Sequence, residues 1–339
     1  MGPIFFCPPI TPSIMAHPRV VVLNAQRLDF DKTLDWASTL ESVSMTVDYH
    51  ATTTTPEECL ARVTSDHAVV VTKEFPLAQP TIARLPASVR LIVEAGTGFN
   101  NIDLAAAAAR NITVCNVPSY STEAVATLVL THVLNFSASI VLQQRRLFAR
   151  DVASWAHLGN TPHYELEGRV IGLVGGRGAI GSRVAQLAKA FRMRVHVSSR
   201  TADAMEHADA VYTSLDDMLP TCDFLSIHLP LNPSTRNLLN ATRIAKLKPN
   251  AVVINTARGP IVDEAALCDA LASKRIAGAG LDVFEVEPPP PSSPLYTLEN
   301  VVLTNHVGWQ RRETRQRLVA AVAANVAAFL AGAPTNVVS

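Results

Sequence analysis

The 339-residue sequence predicts an α/β protein made of two doubly wound parallel-sheet domains, and three observations carry that reading. Short apolar runs alternate with stretches of helical periodicity, the pattern of a parallel sheet with crossover helices. The alternation occurs twice, on either side of a turn-rich break at 118–121. The second series opens on an apolar run, 170–174, followed directly by a glycine-rich turn and a helical pattern.

The elements follow in order. Residues 1–15 are apolar but broken by Pro3, Pro8, Pro9 and Pro12. They lack a basic start, so a secretory signal is not expected, and Phe6 stands where a myristoylation motif needs Ser or Thr. They read as a loose extension, and translation could also begin at Met15. Residues 20–24, 45–48, 68–71, 91–94 and 113–116 read as strands, with helices around 34–40, 56–63 and 104–110. Residues 124–142 carry no charge but include Thr127, Thr131, His132, Asn135, Ser137 and Ser139. A buried or inter-subunit helix is expected there, not a membrane span. The second series places strands at 170–174, 194–197, 224–228, 251–255, 276–281 and 301–303. Pro288 to Pro291 with Pro294 read as a stiff connector. Residues 311–330 form an Ala-rich helix that could cross back to the first domain.

Composition narrows the function. The formal net charge is zero and no basic stripe is visible, which argues against a nucleic-acid surface. The five cysteines are scattered, odd in number and without C-x-x-C spacing. Reduced thiols in a cytoplasmic protein are expected, not a disulfide frame. No His, Asp or Glu group shows metal-ligand spacing.

The turn Gly176-Arg177-Gly178-Ala179-Ile180-Gly181 is a G-x-G-x-x-G between a strand and a helix. Gly176 permits the tight turn, Gly178 lets a pyrophosphate approach the backbone, and Gly181 lets the helix pack close. The helix N-terminus faces the negative charge. The end of the next strand, Ser198-Ser199-Arg200-Thr201, faces the adenosine ribose in such folds. A carboxylate there would bind the 2′-hydroxyl and repel a 2′-phosphate. Here hydroxyls and a guanidinium suit a phosphate, so NADP(H) is expected, with NAD(H) the weaker alternative. Arg177 adds positive charge near the same group.

Three further stretches end on chemistry-bearing residues at C-terminal strand ends, where ligands bind in open α/β sheets. Arg258 follows one apolar strand, Asp282, Glu285 and Glu287 the next, and His306 the last. Arg, Glu and His together suggest carboxylate recognition and acid–base work, with Glu285 a rival to Glu287.

In the stretches NTARGPIVDEAAL, AGAGLDVFEVEP, NHVGW and VPSYSTEAVA the chain resembles the D-isomer-specific 2-hydroxyacid dehydrogenases, most closely their glyoxylate/hydroxypyruvate reductase branch. The resemblance covers nearly all of the chain from about residue 20 onward. It implies a flavodoxin-like substrate domain (1–117), a Rossmann cofactor domain (118–305) and a C-terminal segment (306–339) returning to the first, with a cleft that closes on ligand. It implies Arg258, Glu287 and His306 as the catalytic residues. Arg258 would hold the substrate carboxylate and polarise the 2-keto oxygen, and His306 would protonate that oxygen. Glu287 would hold His306 and favour its charged form, as a neighbouring carboxylate does. The backbone N–H groups of Ala95 and Gly96 would bind the carboxylate, with Trp309 walling the pocket. His228, Leu229, Pro230, Thr256 and Ala257 would line the cofactor site. Asp282 would orient the nicotinamide carboxamide, and Trp155 would reach towards a neighbouring subunit.

The sequence departs from the family pattern in places. Arg177 and Ala179 are unusual within the glycine turn, and Asn305 replaces a proline before His306. The function expected is NADPH-dependent reduction of a small 2-oxo acid by a homodimer. A larger 2-oxo acid, such as an aryl pyruvate, is the alternative. A dinucleotide-sensing, corepressor-like binding protein is the reading from another class.

Overall fold

A computed structural model describes residues 19–41, 46–151, 161–198 and 210–338. The extension at 1–15, Trp155 and the Ser199-Arg200-Thr201 cluster lie outside the described residues. The chain divides into two compact units. One runs up to Tyr120 and takes in the chain from Gln310 onward; the other is Ser121–Trp309.

The first unit holds β1 (Arg19–Val22), β2 (Thr46–Tyr49), β3 (His67–Thr72), β4 (Leu91–Glu94) and β5 (Thr113–Cys115). All pairs are parallel, in the order β2-β1-β3-β4-β5. That is the flavodoxin-like order. The inner strands β3 and β4 are buried throughout, as their near-continuous Val and Ile content requires when helices cover both faces. Val21, Val70, Ile92 and Val114 pack with Cys59, Ile82 and Ala107. The Arg312–Leu330 helix belongs to this unit. It buries Leu318, Val322 and Val326, and its Asn325 donates to Asn116 O at 2.8 Å. Arg315, 2 % exposed, donates to Leu28 O and pairs with Asp31 at 2.5 Å.

The second unit holds β6 (Val170–Val174), β7 (Arg194–Ser198), β8 (Ala210–Thr213), β9 (Phe224–Ile227), β10 (Val252–Asn255), β11 (Gly278–Leu281) and β12 (Val301–Leu303). The order is β12-β11-β10-β9-β6-β7-β8, all parallel. The sheet has seven strands, not the six expected. The missed strand, β8, is a four-residue edge with only half-buried and exposed positions, so no apolar run announces it.

The uncharged stretch expected as one helix over 124–142 is two. The helix Thr122–Ala138 ends at Ser139, which adopts the left-handed conformation (φ 50°), and Ile140–Phe148 follows at a bend of 61°. Ser139 Oγ donates to Pro162 O at 2.6 Å, and Asn135 Oδ1 accepts from Val141 N at 2.9 Å. These side-chain bonds replace helix ladder bonds. Ala126, Val129, Leu130 and Val133 are buried against Val184, Ala185 and Ala188 of the Ala179–Ala190 helix in the same unit. Among the described residues no single helix is long and apolar enough to cross a membrane. Cys59, Cys115, Cys222 and Cys268 are free and buried; burial pushes the Cys222 thiol up to about 12 and the others to about 11. Such thiols pack as apolar groups.

Candidate active site

The order in which the chain adds strands reverses at β6, which lies between β7 and β9 in the second unit's sheet. Such a switch point is where an open α/β sheet binds ligands. The glycine turn follows β6 there. The positive φ of the turn sits at Gly175 (81°), one residue before the position expected from the motif. A Cβ on Gly175 would lie 2.5 Å from His228 O. Gly181 packs as expected: its Cβ would meet Gly176 Cα at 2.6 Å and Gly175 O at 2.9 Å. Gly178 caps the Ala179–Ala190 helix, and a Cβ there would meet only Gly175 O, at 3.6 Å. Gly178 and Ala179 are exposed, Ile180 is half-buried, and the Arg177 guanidinium lies over the Tyr212 ring of β8 at 5.6 Å.

Two buried polar atoms at neighbouring strand ends have no hydrogen-bond partner. They are His228 Nε2, just past β9, and Thr256 Oγ1, just past β10. Burial lowers the His228 pKa to about 4, so its ring is neutral at pH 7. Leu229 packs on the core, and Pro230 O accepts from Thr235 Oγ1 at 2.7 Å. Orphaned buried groups are rare in native proteins and call for an unseen partner. An open helix N-terminus, a glycine turn that tolerates close approach, and two unpartnered atoms at the same sheet edge fit a dinucleotide.

Past β10, Asn255 shapes the loop that presents Arg258. Its Nδ2 donates to Arg258 O at 2.9 Å and its Oδ1 accepts from Ala257 N at 3.0 Å. Arg258 is half-buried and donates to Ala257 O at 2.7 Å. Gly259 follows, and a Cβ on it would lie 1.9 Å from both the carbonyl carbon and oxygen of Phe284. The Arg258 loop and the loop after β11 therefore touch backbone to backbone, which only glycine permits.

The loop after β11 carries Glu287, and the loop after β12 carries His306. His306 Nδ1 faces Glu287 Oε2 at 2.8 Å. The other carboxylate oxygen accepts from Phe284 N at 3.0 Å. Glu285 is exposed, and its backbone N–H donates to Glu264 Oε2 at 2.9 Å, so Glu287 and not Glu285 holds the histidine. A carboxylate only accepts, so the ring donates through a protonated Nδ1. His306 stands in the left-handed region (φ 55°), a conformation that a bulky residue keeps only when its surroundings impose it.

Asp282 imposes it. This residue is 1 % exposed. Its backbone O accepts from His306 N at 2.9 Å. Its carboxylate accepts from Thr304 Oγ1 at 2.6 Å, Val307 N at 2.9 Å and Gly308 N at 2.9 Å. Three of roughly four acceptor positions are thereby used within the chain. Trp309 ends the segment, buried at 6 % exposure.

In the first unit, Ala95 and Gly96 follow β4. The expectation that both N–H groups bind an anion needs correction, because Ala95 N donates to Thr72 O at 2.7 Å and extends the β3–β4 ladder. Of the pair, only the Gly96 N–H is left for a ligand. Glu94 and Lys73 lie beneath this loop, fully buried and 4 % exposed. Burial pushes the Glu94 carboxyl up to about 7.

Chain order points to the residues at strand ends and not to those packed behind them: Asn255, Gly259, Gly175 and the buried Lys73 and Glu94. The Asn-x-Ala-Arg-Gly spacing after a strand was a visible signal for the first two. Lys73 gave none, since nothing in the sequence marks a lysine as buried. Among the described residues no group of His, Cys, Asp or Glu could hold a metal.

Comparison with known proteins bears on this arrangement. The family described as D-isomer specific 2-hydroxyacid dehydrogenase, NAD binding domain, matches residues 130–308. A hydroxypyruvate reductase of Blautia hydrogenotrophica is 32% identical over 329 residues, covering 95% of this chain and 99% of that one. A glyoxylate reductase of Aeropyrum pernix is 40% identical over 259 residues, 74% of this chain and 76% of the other. Among solved structures, an NADPH-dependent glyoxylate/hydroxypyruvate reductase of Sinorhizobium meliloti, in complex with NADP and malonate, superposes with TM-score 0.78 at 30% identity, covering 96% of this chain and 97% of that one.

Proposed function

The chain belongs to the D-isomer-specific 2-hydroxyacid dehydrogenases, and from that footing we propose that it reduces a small 2-oxo acid of the hydroxypyruvate/glyoxylate class to the D-2-hydroxy acid with NADPH. The observation that carries the reading is the His306 Nδ1–Glu287 Oε2 contact at 2.8 Å, which joins the loops after β11 and β12 and orients the imidazole. The substrate class is supported by the names of the two relatives above. The phosphorylated cofactor is supported by the Ser198–Thr201 sequence, which offers Arg200 and no acid.

The dinucleotide would lie on Gly176, Arg177, Gly178, Ala179, Ile180 and Gly181, with its phosphates at the helix N-terminus. Ser199, Arg200 and Thr201 would meet the 2′-phosphate, and His228, Leu229, Pro230, Thr256 and Ala257 would line the remainder. Bound there, the nicotinamide supplies the hydride. Arg258 binds the substrate carboxylate and polarises the 2-keto oxygen, a match of guanidinium and oxyanion geometry. His306 Nε2 delivers the proton to that oxygen as negative charge builds on it. Glu287 keeps the ring oriented through Nδ1. Asp282 acts by holding the His306 loop, and Trp309 limits the substrate in size. The chain would act as a homodimer. The exposed apolar residues of Ile140–Phe148, with Phe148 at 84 %, Ile140 at 53 % and Leu147 at 46 %, are surface that a second copy would cover. Light scattering at micromolar concentration should give a dimer; a monomer alone would contradict this assembly.

The test of the function is a panel of 2-oxo acids assayed with NADPH and with NADH. Hydroxypyruvate and glyoxylate with NADPH should give the highest kcat/KM. A preference for phenylpyruvate would transfer the reading to larger acids. Equal use of both cofactors would remove the role given to Arg200. Cofactor binding with no turnover of any acid would favour a sensing protein.

A further inference from the structure

We propose that Tyr212, on the edge strand β8, is a positioning residue for cofactor choice: its ring holds the Arg177 guanidinium beside the carboxyl end of β7, where the 2′-phosphate of NADPH would lie. The inference rests on the NADPH reading above and deepens it, because it assigns the task of holding the cation to a residue outside the glycine turn.

The geometry is local to the second unit. Gly175 N donates to Ser198 O at 3.1 Å, which ties the start of the glycine turn to the last residue of β7. A Cβ on Gly176 would stand 3.0 and 3.2 Å from the two methyl groups of Val197, so the turn rests on the same strand end. Val197 pairs in register with Tyr212 across the β7–β8 ladder. Partners in register project from one face of a sheet. Here that face is covered by the Ala179–Ala190 helix, and Tyr212 packs on the cluster that holds Val184, Val195 and Val197. The ring is therefore anchored, and the Arg177 guanidinium lies over it at 5.6 Å from the centroid. In the sheet β7 lies between β6 and β8. A side chain that leaves the turn after β6 and reaches a ring on β8 passes β7 at the level of Val197, one residue before its end.

That placement separates two phosphate groups. The pyrophosphate is common to NADH and NADPH and belongs at the helix N-terminus. The end of the second strand faces the adenosine ribose, where the two cofactors differ. Arg177 stands between Gly176 and Gly178, which offer it no side chain to pack on. An arginine loose in solvent loses rotamer freedom when it binds. The Tyr212 ring restricts it beforehand. Attraction of a cation to a ring face spends no N–H donor, so the planar fork still meets phosphate oxygens through its edge.

The test uses the full chain and reads dissociation constants for NADPH and NADH by fluorescence titration. Wild type is compared with Tyr212→Leu, Tyr212→Phe, Arg177→Gln and the double variant Tyr212→Leu/Arg177→Gln. In Tyr212→Leu the Kd for NADPH should rise about three- to tenfold, with that for NADH within about twofold. Tyr212→Phe, which keeps the ring, should match wild type. The double variant should bind NADPH no more weakly than Arg177→Gln alone, because Tyr212 acts through the arginine. An unchanged NADPH affinity in Tyr212→Leu would overturn the proposal. So would equal weakening of both cofactors, the mark of a pyrophosphate contact or of a merely structural role, and so would a full further loss in the double variant. A wild type that binds NADH as tightly as NADPH would instead defeat the NADPH reading, and this inference with it.

Discussion

His306 is held by more of the molecule than its own pair with Glu287. Its backbone is left-handed, and Asp282 fastens the segment on both sides of it through Thr304, Val307 and Gly308. In Asp282→Asn one carboxylate oxygen becomes an NH2 that faces a donor. The cost should be about 1–3 kcal/mol of stability. Activity should fall further, by roughly 10–100-fold in kcat, because the proposed proton donor loses its placement. Urea unfolding read beside steady-state rates checks both; a variant with lowered stability and full kcat would show that Asp282 serves folding alone. This scale also shows what the sequence made legible. Arg258, Glu287 and His306 stand at strand ends, where chain order predicts exposure to a ligand. Asn255 bonds Ala257 and Arg258, two and three residues on, so the Asn-x-Ala-Arg-Gly spacing carries its signal; Lys73 is buried by residues that only folding brings close, and no local pattern reveals it.

At the scale of elements, two glycines set the spacing of the site. Gly259 lets the Arg258 loop rest on the Phe284 carbonyl, and Gly181 lets the Ala179–Ala190 helix rest on the glycine turn. In both places the neighbour is backbone and cannot rotate away. Gly259→Ala should destabilise the protein by about 1–3 kcal/mol or more, by overpacking, and should depress kcat by separating Arg258 from the Glu287 loop. Gly181→Ala should weaken dinucleotide binding, measured by fluorescence titration, while the sheet stays folded by circular dichroism. Unchanged affinity would mean that helix and turn can part without cost. Most strands were legible from apolar runs because parallel strands are buried on both faces. The edge strand β8 and the break at Ser139 were not. The first is too short and half-exposed, and the second is created by hydrogen bonds from Ser139 and Asn135 within a stretch whose composition suits one helix.

Across the whole molecule, the Glu94 cluster links stability to pH. Its carboxyl is raised from the usual 4.5 to about 7 by burial. An acid whose folded-state pKa is raised binds more protons folded than unfolded between these values. Its contribution is therefore fully present below pH 4.5 and is lost as pH rises through 7. The size is about 3 kcal/mol. Wild type should lose roughly that much stability between pH 5 and pH 8 relative to Glu94→Gln, read from urea midpoints at each pH. Parallel curves would mean that Glu94 stays ionised in the folded protein. The two sheet orders were foreshadowed by the doubled β/α alternation; the buried charge in the first unit was not, since composition reports charge but not its burial.

His306 is the proposed proton donor of this 2-oxo acid reductase. The most direct measurement is NADPH oxidation on hydroxypyruvate by wild type and by His306→Ala, with cofactor affinity measured on the same samples. Turnover by the wild type that falls by about 10²–10⁴-fold in the variant, with cofactor binding retained, is the result predicted. Turnover in His306→Ala equal to the wild type would contradict it.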